Sequence, residues 1–292
     1  MIIIGGPASN GLEDSIAKAL NEKSAKVVDK LFPDGESYVR MPDGIDGEDV
    51  VLVQSTYSPQ DKHIMELLLM ADTARDLNAN SITAVVPYMA YMRQDRRFTD
   101  GEAVSAQAML RFMNAAGITS LAVVQPHKSA PFTAFHGNVS LVDPIPLQAK
   151  AVSKIISDPV VLAPDKGGIN RAEELAGMLK CKFSHIDKVR DSVTWEVKIE
   201  APLVGSFEGK DVVIVDDIIS TGGTIAQAAR EVLSKGAEKV IAVATHLVMA
   251  NGARDRLKGA GVSEIFGTNT VPYQGAKILD IGSQIAASLT KV

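Results

Sequence analysis

Val212-Val213-Ile214-Val215-Asp216-Asp217-Ile218-Ile219-Ser220-Thr221-Gly222-Gly223-Thr224 decides how this chain is read. An apolar run ends on two carboxylates, a short loop follows, and Ile225, Ala228, Ala229 and Val232 then recur at helical spacing. The pattern predicts a buried parallel strand, a tight loop and a helix. The glycines let the backbone turn sharply and come close to a ligand. Amides at the helix start, with the helix dipole behind them, make an anion site, to which Ser220, Thr221 and Thr224 add hydroxyls. No lysine follows the glycines, so this is not a P-loop. The loop is expected to hold a phosphate, while Asp216 and Asp217 face hydroxyls or a metal. A sugar phosphate has both ends. The plain alternative is a strand that happens to end in acidic residues, but adjacent carboxylates at a buried strand end need a partner.

Outward from this stretch, strand-like and helix-like segments alternate along the chain. Ile2–Ile4, Ala25–Leu31, Ser37–Met41, Val50–Gln54, Ile82–Pro87, Leu121–Val124 and Val139–Val142 read as strands in the first half. Leu12–Leu20, Asp61–Leu77 and Ala103–Ala116 read as helices. From Ile145–Ile156, a helix, the scheme repeats through Val160–Ala163, Asn170–Leu179, Val240–Thr245 and Glu264–Thr268. The expected class is α/β, with parallel sheets covered by helices and a fold duplication. The boundary is expected near Asp143–Pro146, giving domains 1–144 and 145–280, with helix 281–292 packed back on the first.

Composition bounds the function. The 292 residues suffice for two domains, and 46% hydrophobic with 22% charged residues is ordinary for a globular protein. A net charge of -5 implies no broad affinity for nucleic acid. One cysteine, Cys181, excludes an internal disulfide and a multi-cysteine zinc site. No apolar stretch approaches a membrane span, and the strand-like start lacks the charged region of a signal peptide. A cytoplasmic location is expected.

Ligands of such sheets bind where strands end, and those ends are polar here. Pro164-Asp165-Lys166-Gly167-Gly168 is a second glycine loop, with a carboxylate for a metal and amides for another phosphate, and Arg171 adds charge one turn later. His127 follows a buried strand, and a hard-metal role becomes plausible beside Asp165. Arg93-Gln94-Asp95-Arg96 is a basic cluster, either a solvated loop or a clamp on polyphosphate. Phe32-Pro33-Asp34-Gly35-Glu36 reads as a hairpin turn. Lys188-Val189-Arg190 places two cations on one face of an extended segment. It is either a solvated tip or a mobile basic loop that closes over phosphoryl transfer.

Together these motifs resemble the ribose-phosphate pyrophosphokinase (PRPP synthase) family over nearly the whole chain. The sugar-phosphate stretch is similar in phosphoribosyltransferases too, but the Phe32–Glu36 turn and the Arg93–Arg96 cluster resemble only the former family. The resemblance implies two phosphoribosyltransferase-like domains. It also implies transfer of diphosphate from Mg-ATP to the C1 hydroxyl of ribose 5-phosphate (EC 2.7.6.1), with Mg2+ as cofactor. On that footing Phe32, Asp34, Gly35, Glu36, Arg93, Gln94, Asp95 and Arg96 bind ATP, with the Phe32 turn reaching across a subunit interface. Ribose 5-phosphate goes to Arg190, Asp216, Asp217, Ser220, Thr221, Gly222, Gly223 and Thr224. Lys188 and Arg190 are catalytic, and His127 and Asp165 are metal positions. A homodimer or larger homo-oligomer is implied, with no nucleic-acid or membrane partner. Gln125-Pro126-His127 stands where many relatives have Asp-Leu-His, Ser220 where many have Asp, and the early chain end resembles the shorter archaeal members. Two other functions are weighed: a nucleobase phosphoribosyltransferase, and a non-catalytic nucleotide sensor.

Overall fold

A computed structural model of the chain describes residues 1–190, 197–201 and 207–290; side chains within 187–201 are outside the description. Two compact units result: Met1–Asp143 with Asn269–Val271 and the segment from Asp280, and Pro144–Thr268 with Pro272–Leu279.

The first unit runs β1 (Ile2–Gly5), α1 (Leu12–Leu20), β2 (Lys23–Lys26), β3 (Val28–Leu31), β4 (Ser37–Arg40), β5 (Asp49–Val53), α2 (Gln60–Asp76), β6 (Ser81–Val86), α3 (Ser105–Ala115), β7 (Ser120–Val124) and β8 (Asn138–Val142). The second runs α4 (Ile145–Val152), β9 (Pro159–Ala163), α5 (Ile169–Leu179), β10 (Lys182–His185), β11 (Asp187–Arg190), β12 (Val197–Ala201), β13 (Asp211–Ile219), α6 (Gly223–Ser234), β14 (Lys239–Leu247), α7 (Ala253–Gly259), β15 (Glu264–Thr268) and β16 (Lys277–Leu279). A last helix, α8 (Gly282–Leu289), belongs to the first unit, where it packs on α1, β7 and β8. Ile281 and Ile285 are fully buried there, each worth about 1.5–3 kcal/mol of apolar burial.

Each unit holds one six-stranded sheet, ordered β2-β1-β5-β6-β7-β8 and β10-β9-β13-β14-β15-β16, and the paired strands are parallel throughout. The orders superimpose. Each sheet's second strand is followed by an antiparallel hairpin outside the sheet, β3–β4 in one unit and β11–β12 in the other. The fold is therefore duplicated down to the inserted hairpin.

The continuous apolar runs follow from burial on both faces. Val212 and Ile214 pack with Ile225 and Val232 of α6, whereas Val213 and Val215 pack with Ile145 of α4 and Leu175 of α5. In both sheets the chain reverses its direction of travel between the first two central strands, β1/β5 and β9/β13. Such a switch point opens a crevice at the strand ends.

Two expectations are corrected. Ala25–Leu31 is two strands in different sheets, because Val27 is buried and its amide bonds to Gly5 O at 3.1 Å, which turns the chain out of the main sheet. The strand at Val212 does not end at the carboxylates. It continues through Ile219, because β14 stays paired alongside it to Leu247.

Candidate functional site

In the second unit, the switch point is flanked by the loop after β9 and the extension of β13. On the β9 side the ladder stops at Ile214. Beyond it, the amide of Asp217 donates to Asp216 Oδ1 and the amide of Ile218 to Asp217 Oδ1, both at 2.9 Å. Carboxylates take the place of strand carbonyls there. Arg171, on α5, closes the arrangement: Nη1 lies 3.3 Å from Asp216 Oδ1 and Nη2 3.7 Å from Asp217 Oδ2. The guanidinium fork suits this, spanning two acceptors from one rigid plane.

Burial pushes the Asp216 carboxyl up to about 8, and the adjacent Asp217 carboxylate adds to the effect, with Arg171 opposing it and Asp165 reinforcing it. Asp165 itself opens the turn before α5, its Oδ1 accepting the amide of Gly167 at 2.9 Å. The loop lies close to β13: a Cβ on Gly168 would be in ordinary contact with Arg171 Nη1 at 3.4 Å and Val215 O at 3.7 Å. The structure thus brings Asp165, Arg171, Asp216 and Asp217 together.

The loop Ser220–Gly222 leads into α6. Gly222 has φ 72° and caps the helix, and a Cβ would meet Leu257 Cγ at 3.2 Å. Leu257 and Arg256 sit on α7, and Arg256 donates to the carbonyl of Thr221. The amide of Ala250 bonds to Ser220 O at 3.0 Å. The loop is thereby braced from behind while Thr221, Gly223 and Thr224 stay exposed. The first helical amides have no carbonyl a turn earlier to bond, so α6 offers an anion its positive end.

In the first unit, Phe32–Glu36 is the turn of the β3–β4 hairpin. Phe32 N bonds to Glu36 O at 2.8 Å and Gly35 N to Phe32 O at 2.9 Å, with Gly35 at φ 96°. The Phe32 ring stays 41% exposed, edge-on to Tyr38 at 5.9 Å. The Arg93–Arg96 cluster lies in the long loop between β6 and α3. There Gln94 Nε2 donates to Arg96 O at 3.2 Å and to Glu102 Oε2 at 3.1 Å, and the amide of Phe98 donates to the same oxygen at 2.8 Å. Gln94 and Glu102 shape the loop from within, whereas Arg93 and Arg96 face solvent. His127 is exposed just beyond β7. His127 and Asp165 lie in different units. Among the described residues, no group of three His, Cys, Asp or Glu is placed to hold a metal.

Lys188 and Arg190 stand two apart on β11, with backbone register Lys188↔Ile199 and Arg190↔Val197. Residues 191–196, where the expected solvated tip or mobile loop falls, lie outside the described residues.

Comparison with known proteins agrees with this division. Residues 1–117 match the model of the N-terminal domain of ribose phosphate pyrophosphokinase, and residues 147–275 match the phosphoribosyl transferase domain. The ribose-phosphate pyrophosphokinase of Saccharolobus solfataricus is 49% identical over 292 residues, covering 99% of this chain and all of that one. The chain belongs to the ribose-phosphate pyrophosphokinase family. That of Sulfolobus acidocaldarius is 47% identical, with 99% of this chain and all of the relative covered. A crystal structure of phosphoribosylpyrophosphate synthetase from Mycobacterium smegmatis superimposes with a TM-score of 0.88 at 30% identity, covering 99% and 97% of the two chains. These matches do not favour a base-transferring enzyme or a non-catalytic sensor. No described helix is long and apolar enough to cross a membrane.

Arg256 and Glu102 escape a reading of the sequence. Each acts through contacts across tens of residues or through main-chain atoms, which no local motif marks.

Proposed function

We propose that this pyrophosphokinase divides its substrates between its units, ribose 5-phosphate on the second and ATP on the first. The chain transfers diphosphate from ATP to the C1 hydroxyl of ribose 5-phosphate, yielding 5-phosphoribosyl 1-diphosphate and AMP. The observation that carries the sugar side is the Asp216–Asp217 pair clamped by Arg171 beside a braced helix N-terminus. The carboxylates accept the ribose hydroxyls. The loop Ser220–Thr224 and the start of α6 hold the 5-phosphate. Phe32 stacks on adenine while Asp34 and Glu36 accept its hydrogen bonds. Arg93, Gln94, Asp95 and Arg96 fix the triphosphate so that its β-phosphorus is in line with the C1 oxygen. Lys188 and Arg190 stabilise charge on the transferring group. Positioning and electrostatics are the main levers of phosphoryl transfer.

Asp165 lies close enough to the Asp216–Asp217 pair to act on Asp216, so it stands beside the proposed sugar site. Magnesium, which retains water and phosphate oxygens as ligands, would supply neutralisation of the triphosphate, and the protein groups offered to it are His127 of the first unit and Asp165 of the second. We place the chain in the cytoplasm, as a homo-oligomer. Val28, Leu31 and Phe32 are 50%, 55% and 41% exposed along one hairpin, which supports burial against a second copy. If that contact completes the ATP site, dilution to monomer abolishes activity; a fully active monomer would remove the interface from the account.

Gly222→Ala is expected to cost about 1–2 kcal/mol through its left-handed backbone, and to raise the KM for ribose 5-phosphate while leaving that for ATP unchanged. Equal rises in both would argue against the phosphate loop. The overall reading is tested by incubating the purified protein with ATP, magnesium and ribose 5-phosphate. AMP should appear in step with 5-phosphoribosyl 1-diphosphate. Consumption of that product with a free base, and no need for ATP, would show a phosphoribosyltransferase instead.

A further inference from the structure

The duplicated fold has a second switch point, between β1 and β5. The equivalent registers Ile4↔Leu52 and Leu162↔Ile214 put Gln54, two residues on, where Asp216 stands in the other unit. Gln54 is completely buried. Its Oε1 accepts the amide of Ala8 at 2.8 Å, and its Nε2 donates to His63 O at 3.2 Å and to Glu66 Oε2 at 3.3 Å. A Cβ on Gly6 would lie 2.5 Å from that Oε1 and 2.6 Å from Met70 Cε. The side chain that corresponds to Asp216 is thus spent on internal hydrogen bonds.

Glu66, on α2, is 1% exposed. Its Oε2 is held by Gln54, and its Oε1 accepts from Lys62 and from Ser37 Oγ, the latter at 3.2 Å. A buried carboxylate is costly unless it is paired and hydrogen-bonded, and an apolar side chain could pack at this spot without that cost. What the carboxylate adds is a fixed link. Ser37 opens β4, directly after the Phe32–Glu36 turn and opposite Leu31. The hairpin belongs to neither six-stranded sheet, so no sheet ladder sets its position. Ser55 and Thr56, next to Gln54, likewise hold the start of the Arg93 loop: Tyr88 N donates to Ser55 Oγ at 3.0 Å and Ala90 N to Thr56 Oγ1 at 2.8 Å.

We infer that Glu66 is a positioning residue for nucleotide binding, acting through Ser37 to fix the Phe32–Glu36 turn. The inference rests on the reading that this turn holds ATP. In the first unit, polar groups at the end of β5 fix nucleotide-binding segments, where the corresponding groups of the second unit face the sugar.

Steady-state kinetics of the full-length protein test it with Glu66→Gln, Ser37→Ala, Ser37→Thr and Phe32→Ala. Glutamine cannot accept from Lys62, Ser37 and Gln54 all at once. Glu66→Gln and Ser37→Ala should each raise the KM for ATP about tenfold, the scale of one hydrogen bond to a charged group, with kcat and the KM for ribose 5-phosphate within about twofold. Ser37→Thr, which keeps the hydroxyl, should behave as wild type. The double variant Glu66→Gln/Ser37→Ala should be no worse than either single one, because both break one link. If Ser37→Ala is silent, or kcat and both KM values change together, Glu66 is only a structural group and the inference is overturned. If Phe32→Ala leaves the KM for ATP unchanged, the turn does not hold ATP, and the inference falls with that reading. A raised KM for Phe32→Ala with silent Glu66→Gln and Ser37→Ala overturns the inference alone.

Discussion

Lys188→Ala is expected to lower kcat by about two to three powers of ten while barely moving either KM, by analogy with loss of one oxyanion donor, about 2.7–4 kcal/mol. The reason is one of timing. Negative charge builds on the oxygens around the β-phosphorus only as the bond to the leaving AMP lengthens, so a cation aimed there acts on the transition state and not on the bound substrates. Arg190→Ala should behave similarly, with some added loss at the sugar phosphate. Lys188 and Arg190 lie on β11, in the hairpin that corresponds to the β3–β4 hairpin of the first unit. Stopped-turnover and steady-state rates separate the effects. A large rise in KM at constant kcat would make both residues ground-state binders.

The second large effect is expected at Asp217. Asp217→Asn should reduce kcat/KM for ribose 5-phosphate by at least about a hundredfold, since hydrogen bonds to a charged group contribute roughly 1.5–3 kcal/mol each. The same change should stabilise the ligand-free protein. Burial, and then the Asp217 charge, raise the Asp216 carboxyl to about 8 in the fold, against roughly 3.9 in an unfolded chain. Between those values the folded state holds a proton that the unfolded state has released. The contribution to stability is therefore full below the lower value and is lost as pH rises through the higher one. Asparagine keeps an oxygen for the amide of Ile218 and removes the neighbouring charge. The melting temperature of the variant relative to wild type should accordingly climb with pH, by about 1.5–2 °C between pH 5 and pH 9 for a gain near 1 kcal/mol. A difference that does not vary with pH would mean that the pair is not in electrostatic conflict. A gain in stability at the expense of activity is the usual mark of a site held ready for a ligand.

Much of this was legible in the sequence because it is local. Val212–Thr224 carries strand, loop and helix within thirteen consecutive residues, each with its own periodicity or turn chemistry. The Phe32–Glu36 turn and the Pro164–Gly168 loop are likewise set by neighbours in the chain. What stayed hidden depends on the partner strand or on distant side chains. The extension of β13 through Ile219 is imposed by β14, which pairs with it to the end. Arg171 reads as loose charge one turn into a helix, and only the sheet order brings it onto Asp216 and Asp217. Glu66 looks like an ordinary acidic residue on an amphipathic helix. Its burial and its bond to Ser37, 29 residues away in the chain, follow from how α2 packs on β4. The correspondence of the two hairpins appears only once the strand orders are compared, since nothing in their residues marks them as equivalent.

Everything turns on which bonds form and break. Ribose 5-phosphate labelled with heavy oxygen at its C1 hydroxyl, supplied with magnesium and ATP, resolves this by phosphorus NMR of the products. The account predicts one unlabelled AMP for each 5-phosphoribosyl 1-diphosphate, with the heavy oxygen in the bridge between C1 and the diphosphate. ADP as the nucleotide product, or a 5-phosphoribosyl 1-diphosphate whose bridge between C1 and phosphorus lacks the heavy oxygen, would contradict attack by the C1 oxygen on the β-phosphorus.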